Sequence, residues 1–182
     1  MGSALASAVQ AAGHELVIVS GPVEVDYPSG VHVVPVVSTE EMLLACRREF
    51  ETCDGLIGVA APCDYRPEIV SQQKISKTGQ PLVLHLIETP DIVATLGSEK
   101  RADQWVVGFA LETEDARFRA IAKMERKSCD LIVLNGPEAM NADENQVEVL
   151  NPAGDVLDEF SGDKQRVADG VFSIITRELI KR

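Results

Sequence analysis

The sequence predicts a three-layer α/β fold with a mostly parallel sheet, and three observations support this prediction. Short β-rich runs alternate with stretches of helical periodicity along the chain, which is the pattern of parallel sheets covered by helices. The longest apolar runs, such as LVIVSGPV and LIVLNG, have the length of buried strands. A chain of 182 residues with 45% hydrophobic content can bury one sizeable core. We therefore expect residues 1–182 to form a single domain.

Local signals place the elements in order. Ser38 and Glu41 have capping-box spacing and predict a helix that begins at Thr39. Thr89 as N-cap and Pro90 at the first helical position predict the start of a short helix. The strands are predicted from short runs rich in β-branched residues. The full series is helix Ser3–Ala12, strands Glu15–Ser20 and Val31–Val36, helix Thr39–Phe50, strands Leu56–Ala60 and Leu82–Leu86, a helix from Asp91, strand Trp105–Ala110, helix Asp115–Lys127, strands Leu131–Leu134 and Val147–Leu150, and helix Lys164–Ile180.

Charge and hydropathy exclude several classes of partner. The net charge of −12 argues against a nucleic acid or an anionic membrane, because both require a basic surface. No apolar run approaches the roughly 20 residues of a membrane span. The N-terminus shows no charged region followed by an apolar one, so no secretory signal is expected and the cytoplasm is the expected compartment.

The cysteines and histidines predict neither a metal site nor a nucleophilic dyad. The four cysteines show no CxxC spacing, and the three histidines are far apart in the chain. Free cysteine usually behaves as a small buried hydrophobe, so structural thiols are the expectation. The cysteines are Cys46, Cys53, Cys63 and Cys129, and the histidines are His14, His32 and His85.

The segment Asp64-Tyr65-Arg66-Pro67 follows a predicted strand on its carboxyl side. In open α/β sheets, ligands bind outside the carboxyl ends of the strands, so this position favours chemistry. An alternative is that Asp64 and Arg66 pair with each other at the surface, which would contribute only about 0–1 kcal/mol. The sequence leaves both interpretations open.

Lys123 and Lys127 form a second candidate. Their i,i+4 spacing places both ammonium groups on one face of a predicted helix, where an anion between them would relieve their repulsion. The alternative is a solvated basic face with Glu112 or Glu125 nearby. No GxGxxG follows the first strand, which disfavours an NAD-dependent oxidoreductase.

Seven segments stand out in order along nearly the whole chain: AAGHELVIVSGPV (Ala11–Val23), STEEM (Ser38–Met42), AAPCDYRP (Ala60–Pro67), KISK (Lys74–Lys77), ETPDI (Glu88–Ile92), VVGFALET (Val106–Thr113) and DLIVLN (Asp130–Asn135). Together they resemble the phosphopantothenoylcysteine synthetase family of coenzyme A biosynthesis, whose bacterial members are often fused behind a flavin-dependent decarboxylase. The resemblance implies a Rossmann-like fold, a homodimer, and no flavin in this domain.

The resemblance also implies a set of ligands and the residues that bind them. The nucleotide is CTP in the bacterial enzymes and ATP in some eukaryotic ones, with Mg²⁺; the other substrates are 4′-phosphopantothenate and cysteine. Asp64 resembles the acidic residue on the base and magnesium side, and Lys74 resembles the loop lysine that meets the triphosphate. The remaining nucleotide contacts are expected at Gly58, Ile87, Glu88, Thr89, Pro90, Phe109, Lys123 and Lys127.

The family reaction has two halves. The carboxylate of 4′-phosphopantothenate attacks the α-phosphorus of the nucleotide and releases pyrophosphate, and the amine of cysteine then displaces the nucleoside monophosphate from the acyl-nucleotide. This chemistry needs positioned charge rather than a side-chain nucleophile.

Three departures from the family pattern define an alternative function. The family begins with a strand, a glycine-rich turn and an asparagine that this sequence does not contain, so an N-terminally truncated domain is expected. Pro62 and Cys63 replace small apolar residues, and Glu88 stands where lysine is common. The alternative is an inactive or truncated paralogue that binds nucleotide or serves as an interaction module. For the chain in either function, a separate phosphopantothenoylcysteine decarboxylase is a candidate partner.

Overall fold

The computed structural model describes residues 1–136 and 144–180. These residues contain five helices and nine strands. The helices are α1 (Gly2–Ala11), α2 (Thr39–Phe50), α3 (Ile92–Glu99), α4 (Ala116–Arg126) and α5 (Lys164–Glu178). The strands are β1 (Val17–Ser20), β2 (His32–Pro35), β3 (Gly55–Gly58), β4 (Tyr65–Pro67), β5 (Leu86–Glu88), β6 (Trp105–Leu111), β7 (Leu131–Asn135), β8 (Glu144–Leu150) and β9 (Val156–Asp163).

The central sheet has five strands in the order β3-β6-β7-β8-β9. The pairs β3–β6 and β6–β7 are parallel, whereas β8 is antiparallel to both of its neighbours. Four of these five strands therefore point the same way, and β8 alone is reversed. The predicted α/β fold with a mostly parallel sheet is confirmed.

Helices cover both faces of this sheet and give three layers. On one face, α1 and α5 pack on alternate sheet residues that include Val107, Val133 and Val149. On the other face, side chains of α2, α3 and α4 pack on the intervening residues, which include Val106, Ile132 and Leu134. Alternation of this kind follows from the two-residue period of a strand, and it explains why the sheet segments read as continuous apolar runs.

Strands β1 and β2 form a separate parallel pair. The side chains of Val17, Ile18 and Val19 in β1 are only partly buried, as are all four residues of β3. Within the described residues, β3 is an edge of the central sheet and is not hydrogen-bonded to the β1–β2 pair. The sheet is therefore divided in two.

The segment Tyr65–Glu88, which we call the arm, begins with β4 and ends with β5. These strands pair antiparallel, and the backbone N–H of Glu68 donates to the carbonyl of His85 at 2.9 Å. The predicted strand Leu82–Leu86 is wrong, because Leu82 and Leu84 are exposed and pairing begins only at Leu86. Strand β4 was not predicted, since it is three residues long and includes a proline.

Local signals set one helix start correctly and another incorrectly. The capping box is confirmed, because the Ser38 hydroxyl accepts from the backbone of Glu41 and the Glu41 side chain accepts from the backbone of Ser38. The predicted N-cap Thr89 is wrong, since Asp91 caps α3 by accepting from Ala94 N. Pro90 therefore precedes the helix.

Strand β9 was missed because it is the polar outer edge of the sheet. Its residues include Asp158, Glu159 and Asp163, and its hydrophobic alternation is weak. The antiparallel ladder with β8 nevertheless runs along its length. No helix in residues 1–136 or 144–180 combines the length and hydropathy that a membrane crossing needs.

Candidate functional site

The carboxyl ends of β3 and β6 lie at one edge of the central sheet, because these strands are parallel neighbours. Three of the segments singled out in the sequence begin at this edge or lead from it. Asp64 follows β3, and Glu112 follows β6. The segment Ile87–Pro90, which we call the Ile87–Pro90 turn, begins with the last two residues of β5 and leads into α3. The edge is therefore the candidate site.

Asp64 and the Ile87–Pro90 turn are joined by hydrogen bonds. The backbone N–H of Thr89 donates to the carbonyl of Asp64 at 2.9 Å, and the Thr89 hydroxyl donates to the carbonyl of Cys63 at 2.5 Å. Through these two bonds, Thr89 joins the end of β5 to the residues that directly precede β4. The carboxylate of Asp64 remains exposed.

The surface pair that the sequence suggested between Asp64 and Arg66 is absent among the described residues. Arg66 instead pairs with Glu40 in the first turn of α2, which ties the arm to that helix. The pKa of Glu40 lies below its usual value, first because its own backbone N–H donates to the carboxylate and second because the Arg66 guanidinium does. On the other strand of the arm, Glu88 accepts from the Tyr65 hydroxyl at 3.3 Å.

The two lysines of α4 each reach a carboxylate. Lys127 Nζ lies 3.1 Å from Oδ2 of Asp91, and Lys123 Nζ lies 2.5 Å from Oε1 of Glu112. The structure therefore brings Lys127 next to the Ile87–Pro90 turn and Lys123 next to the end of β6. Sequence reasoning named Glu112 only as a possible neighbour of this face and gave Asp91 no contact with it.

Gly58 lies at the end of β3 under α3. A Cβ at this position would be 2.6 Å from Cγ2 of Val93, so the glycine allows α3 to approach the sheet. Gly97, on the same helix, is closer still to its neighbour, because a Cβ there would be 2.0 Å from the carbonyl oxygen of Lys127. Gly58 therefore allows α3 to lie close to the sheet, and Gly97 allows α3 to lie close to the end of α4.

Phe109 and the lysines lie on opposite faces of the sheet. Phe109 packs against the core that α1 and α5 cover, whereas Met124 of α4, between the lysines, belongs to the other core. The structure thus does not place Phe109 against Lys123 or Lys127. A ligand that contacts all three would have to pass over the strand ends.

Lys74 lies in the irregular part of the arm, between β4 and β5, and is exposed. The structure does not bring it against the other predicted site residues. An exposed lysine keeps its ammonium hydrated and mobile, so its predicted role depends on movement of the arm.

The exposed carboxylate of Asp64 supplies the hard oxygen donors that Mg²⁺ takes as ligands. No group of three or more His, Cys, Asp or Glu in the described part of the chain forms a metal site. Mg²⁺ in nucleotide enzymes is usually held by one or two carboxylates together with substrate phosphates. A single exposed carboxylate at the strand ends meets that requirement.

Three of the four thiols, one buried and two partly buried, are not activated. Burial raises the pKa of Cys46 and of Cys129 to about 11, so both remain protonated at neutral pH. Burial also raises the pKa of Cys53. All three have the inert character of packed thiols.

A family comparison identifies this arrangement. The family described as the DNA/pantothenate metabolism flavoprotein C-terminal domain matches residues 1–179. The chain belongs to this family. Its sequence is 35% identical over 180 residues to the coenzyme A biosynthesis bifunctional protein CoaBC of Haemophilus influenzae. That alignment covers 97% of this chain and 45% of the relative, so the chain spans about half of the relative's length.

Solved structures share the fold of this chain. The C-terminal domain of a CoaBC protein superposes with a TM-score of 0.82 at 32% identity, over 98% of this chain and 81% of that one. A Cab2 variant in complex with phosphopantothenate-cysteine has a TM-score of 0.78 at 14% identity, over 97% of this chain and 76% of the other. The resemblance drawn from the sequence motifs is confirmed.

Proposed function

We propose that residues 1–182 are one phosphopantothenate–cysteine ligase domain of coenzyme A biosynthesis. The observation that carries the proposal is the meeting of Asp64, the Ile87–Pro90 turn and Lys127 at the carboxyl edge of the sheet. The relationship to CoaBC supports it.

The proposed nucleotide is CTP, with ATP as the other candidate. Its phosphates bind Lys123 and Lys127 and the Ile87–Pro90 turn, and its base and ribose lie toward Gly58 and Phe109. Asp64 holds Mg²⁺, which supplies neutralisation of phosphate charge when bound. No flavin is part of this domain.

The proposed reaction makes an amide in two steps. A carboxylate oxygen of 4′-phosphopantothenate forms a bond to the α-phosphorus, and the bond from that phosphorus to the pyrophosphate oxygen breaks. The cysteine nitrogen then attacks the acyl carbon and gives up a proton to water, and the nucleoside monophosphate leaves with the electron pair of the broken C–O bond. Lys74 is the proposed catalytic residue. It swings from the arm to the phosphates and stabilises the charge that develops in the first step.

The proposed assembly is a cytoplasmic homodimer that contacts neither nucleic acid nor membrane. The arm exposes eight aliphatic side chains and Tyr65, and a contiguous apolar surface usually marks an interface. A second copy covers this surface, and a separate decarboxylase is a further candidate partner. The exposed residues are Tyr65, Ile69, Val70, Ile75, Leu82, Val83, Leu84, Leu86 and Ile87.

The arm interface is tested by sedimentation velocity. We expect the protein to sediment as a dimer and Leu82→Glu/Leu84→Glu to sediment as a monomer, because two buried charges oppose association. Ser71→Glu, an exposed polar position on the same segment, is the matched control. A monomeric parent would contradict the proposed dimer.

The second candidate function is a non-catalytic paralogue that binds nucleotide or acts as an interaction module. The divided sheet favours it, because within the described residues β3 is hydrogen-bonded to β6 on one side and to no strand on the other. Release of pyrophosphate from CTP, Mg²⁺ and 4′-phosphopantothenate decides between the two functions. Release supports the ligase, and binding without release supports the paralogue.

Nucleotide binding depends on the two lysines under this proposal. We expect Lys123→Ala and Lys127→Ala each to weaken the binding of Mg·CTP by about 1–3 kcal/mol, because each removes a charge-assisted hydrogen bond. Calorimetry measures the affinity, and added salt should weaken it in the parent.

The matched control for the lysines is Arg126→Ala, which removes an exposed positive charge from the last turn of the same helix. Its affinity for Mg·CTP should stay close to the parental value. If neither lysine variant changed the affinity, the lysines would not bind the nucleotide, and their role would be the ion pairs to Glu112 and Asp91.

A further inference from the structure

The carboxylate of Glu112 is almost enclosed at the end of β6. Its side chain is 11% exposed, and Oε1 is buried without a hydrogen bond of ordinary geometry to any described residue. The Lys123 ammonium lies 2.5 Å away. Within the described residues, Lys123 is the one cation within ion-pair distance of this carboxylate, so it supplies the compensating charge.

The neighbouring ion pair, between Lys127 and Asp91, is more exposed to solvent. The Asp91 side chain is 41% exposed, and its Oδ1 accepts from Ala94 N at the start of α3. If Lys127 moved away, water and this backbone donor would still solvate the carboxylate. The two lysines of one helical face are therefore held with unequal strength.

This difference decides what an arriving anion can do. If phosphate took Lys123 completely, Glu112 would be left as a buried charge without a partner, which is strongly unfavourable. A lysine ammonium has three donors, so Lys123 can keep Glu112 as one partner and offer the others to phosphate. Lys127 can leave Asp91 without a comparable cost.

We propose that Glu112 is a positioning residue of the nucleotide site: it holds the Lys123 ammonium at the strand ends while phosphate binds, whereas Asp91 releases Lys127. Glu112 acts on the nucleotide only through Lys123. This inference rests on the proposed function, because it takes nucleotide phosphate as the anion.

Calorimetry should show that removing the charge of Glu112 and removing the charge of Asp91 change the affinity for Mg·CTP in opposite directions. We expect Glu112→Gln to weaken binding about tenfold, because the ammonium loses its fixed position. Asp91→Asn, which keeps the cap of α3, should tighten binding by about threefold, since one negative charge leaves the neighbourhood of the phosphates. In a Lys123→Gln background, Glu112→Gln should cause no further loss.

The matched control is Glu148→Gln. Glu148 is a carboxylate on β8 that binds Arg117 of the same helix through two hydrogen bonds, at 2.7 and 3.0 Å. Its loss should leave the affinity for Mg·CTP unchanged. Glu112→Asp serves if Glu112→Gln does not fold, and its shorter reach should weaken binding by about threefold.

Three results would overturn the inference. They are parental or tighter binding by Glu112→Gln, parental binding by Glu112→Asp, and losses that multiply when Glu112→Gln is combined with Lys123→Gln. A parent that binds neither Mg·CTP nor Mg·ATP overturns the proposed function instead.

The nitrogen NMR resonance of the Lys123 ammonium, assigned by its loss in Lys123→Arg, tests in the absence of ligand whether Glu112 holds this ammonium in place. Broadening in Glu112→Gln but not in Glu148→Gln supports the hold on Lys123, and an unchanged signal in Glu112→Gln overturns it.

Discussion

Lys74→Gln should reduce formation of the acyl-nucleotide by roughly a hundredfold or more, the scale expected when one preorganised charge-stabilising group is lost. Glutamine retains much of the length and polarity of lysine and removes the charge. Because Lys74 is exposed, the free energy of unfolding should change by less than about 0.5 kcal/mol. Pyrophosphate release in a single turnover is the measurement.

Lys77→Gln is the matched control for Lys74, since Lys77 is an exposed lysine on the same segment of the arm. We expect it to release pyrophosphate at a rate close to the parental one. Release by Lys74→Gln at the parental rate would eliminate the catalytic role. Equal losses in both variants would indicate a general effect of arm charge.

Gly97→Ala should destabilise the protein by about 3 kcal/mol, at the upper end of what overpacking usually costs. The added Cβ would lie 2.0 Å from the carbonyl oxygen of Lys127 and 3.1 Å from its carbon. Both atoms are backbone, so the end of α4 has to move away from α3. For a chain of this size, the Tm should fall by roughly 6–12 °C, which thermal unfolding followed by circular dichroism measures.

Ser98→Ala is the control for Gly97→Ala, because Ser98 is the next residue of α3 and its side chain is exposed. Alanine favours a helix, so stability should be equal to or above that of the parent. A Gly97→Ala protein with parental Tm would show that α3 and α4 adjust their spacing easily. In that case the spacing would not fix Lys127 relative to Asp91.

The sequence predicted the fold wherever local chemistry decides the structure. Ser38 and Glu41 satisfy each other within one turn, and the buried strands of the central sheet read as apolar runs. The arm was predicted poorly because its strands are three residues long and exposed. Whether residues 65–67 pair with residues 86–88 depends on a contact across the whole arm.

At the candidate site, too, the sequence predicts the local features and not the tertiary contacts. The spacing of Lys123 and Lys127 is a property of the helix, so the sequence predicts their shared face. Their partners are tertiary, since Glu112 and Asp91 reach α4 only after β6 and α3 have packed. The sequence also suggested a solvated basic face with either Glu112 or Glu125 nearby. No local pattern shows which of these two glutamates pairs with a lysine.

The division of the sheet has a consequence for the solution behaviour of this polypeptide. Strand edges without a partner recruit other strands, and natural proteins discourage this with charge or proline. The outer strand β9 carries Asp158 and Glu159, and β2 ends in Pro35. By contrast, β3 is GLIG and β1 is VIVS, without a charge in either. The edges at β1 and β3 are therefore the ones without a charged residue or a proline, and self-assembly into larger aggregates would begin there.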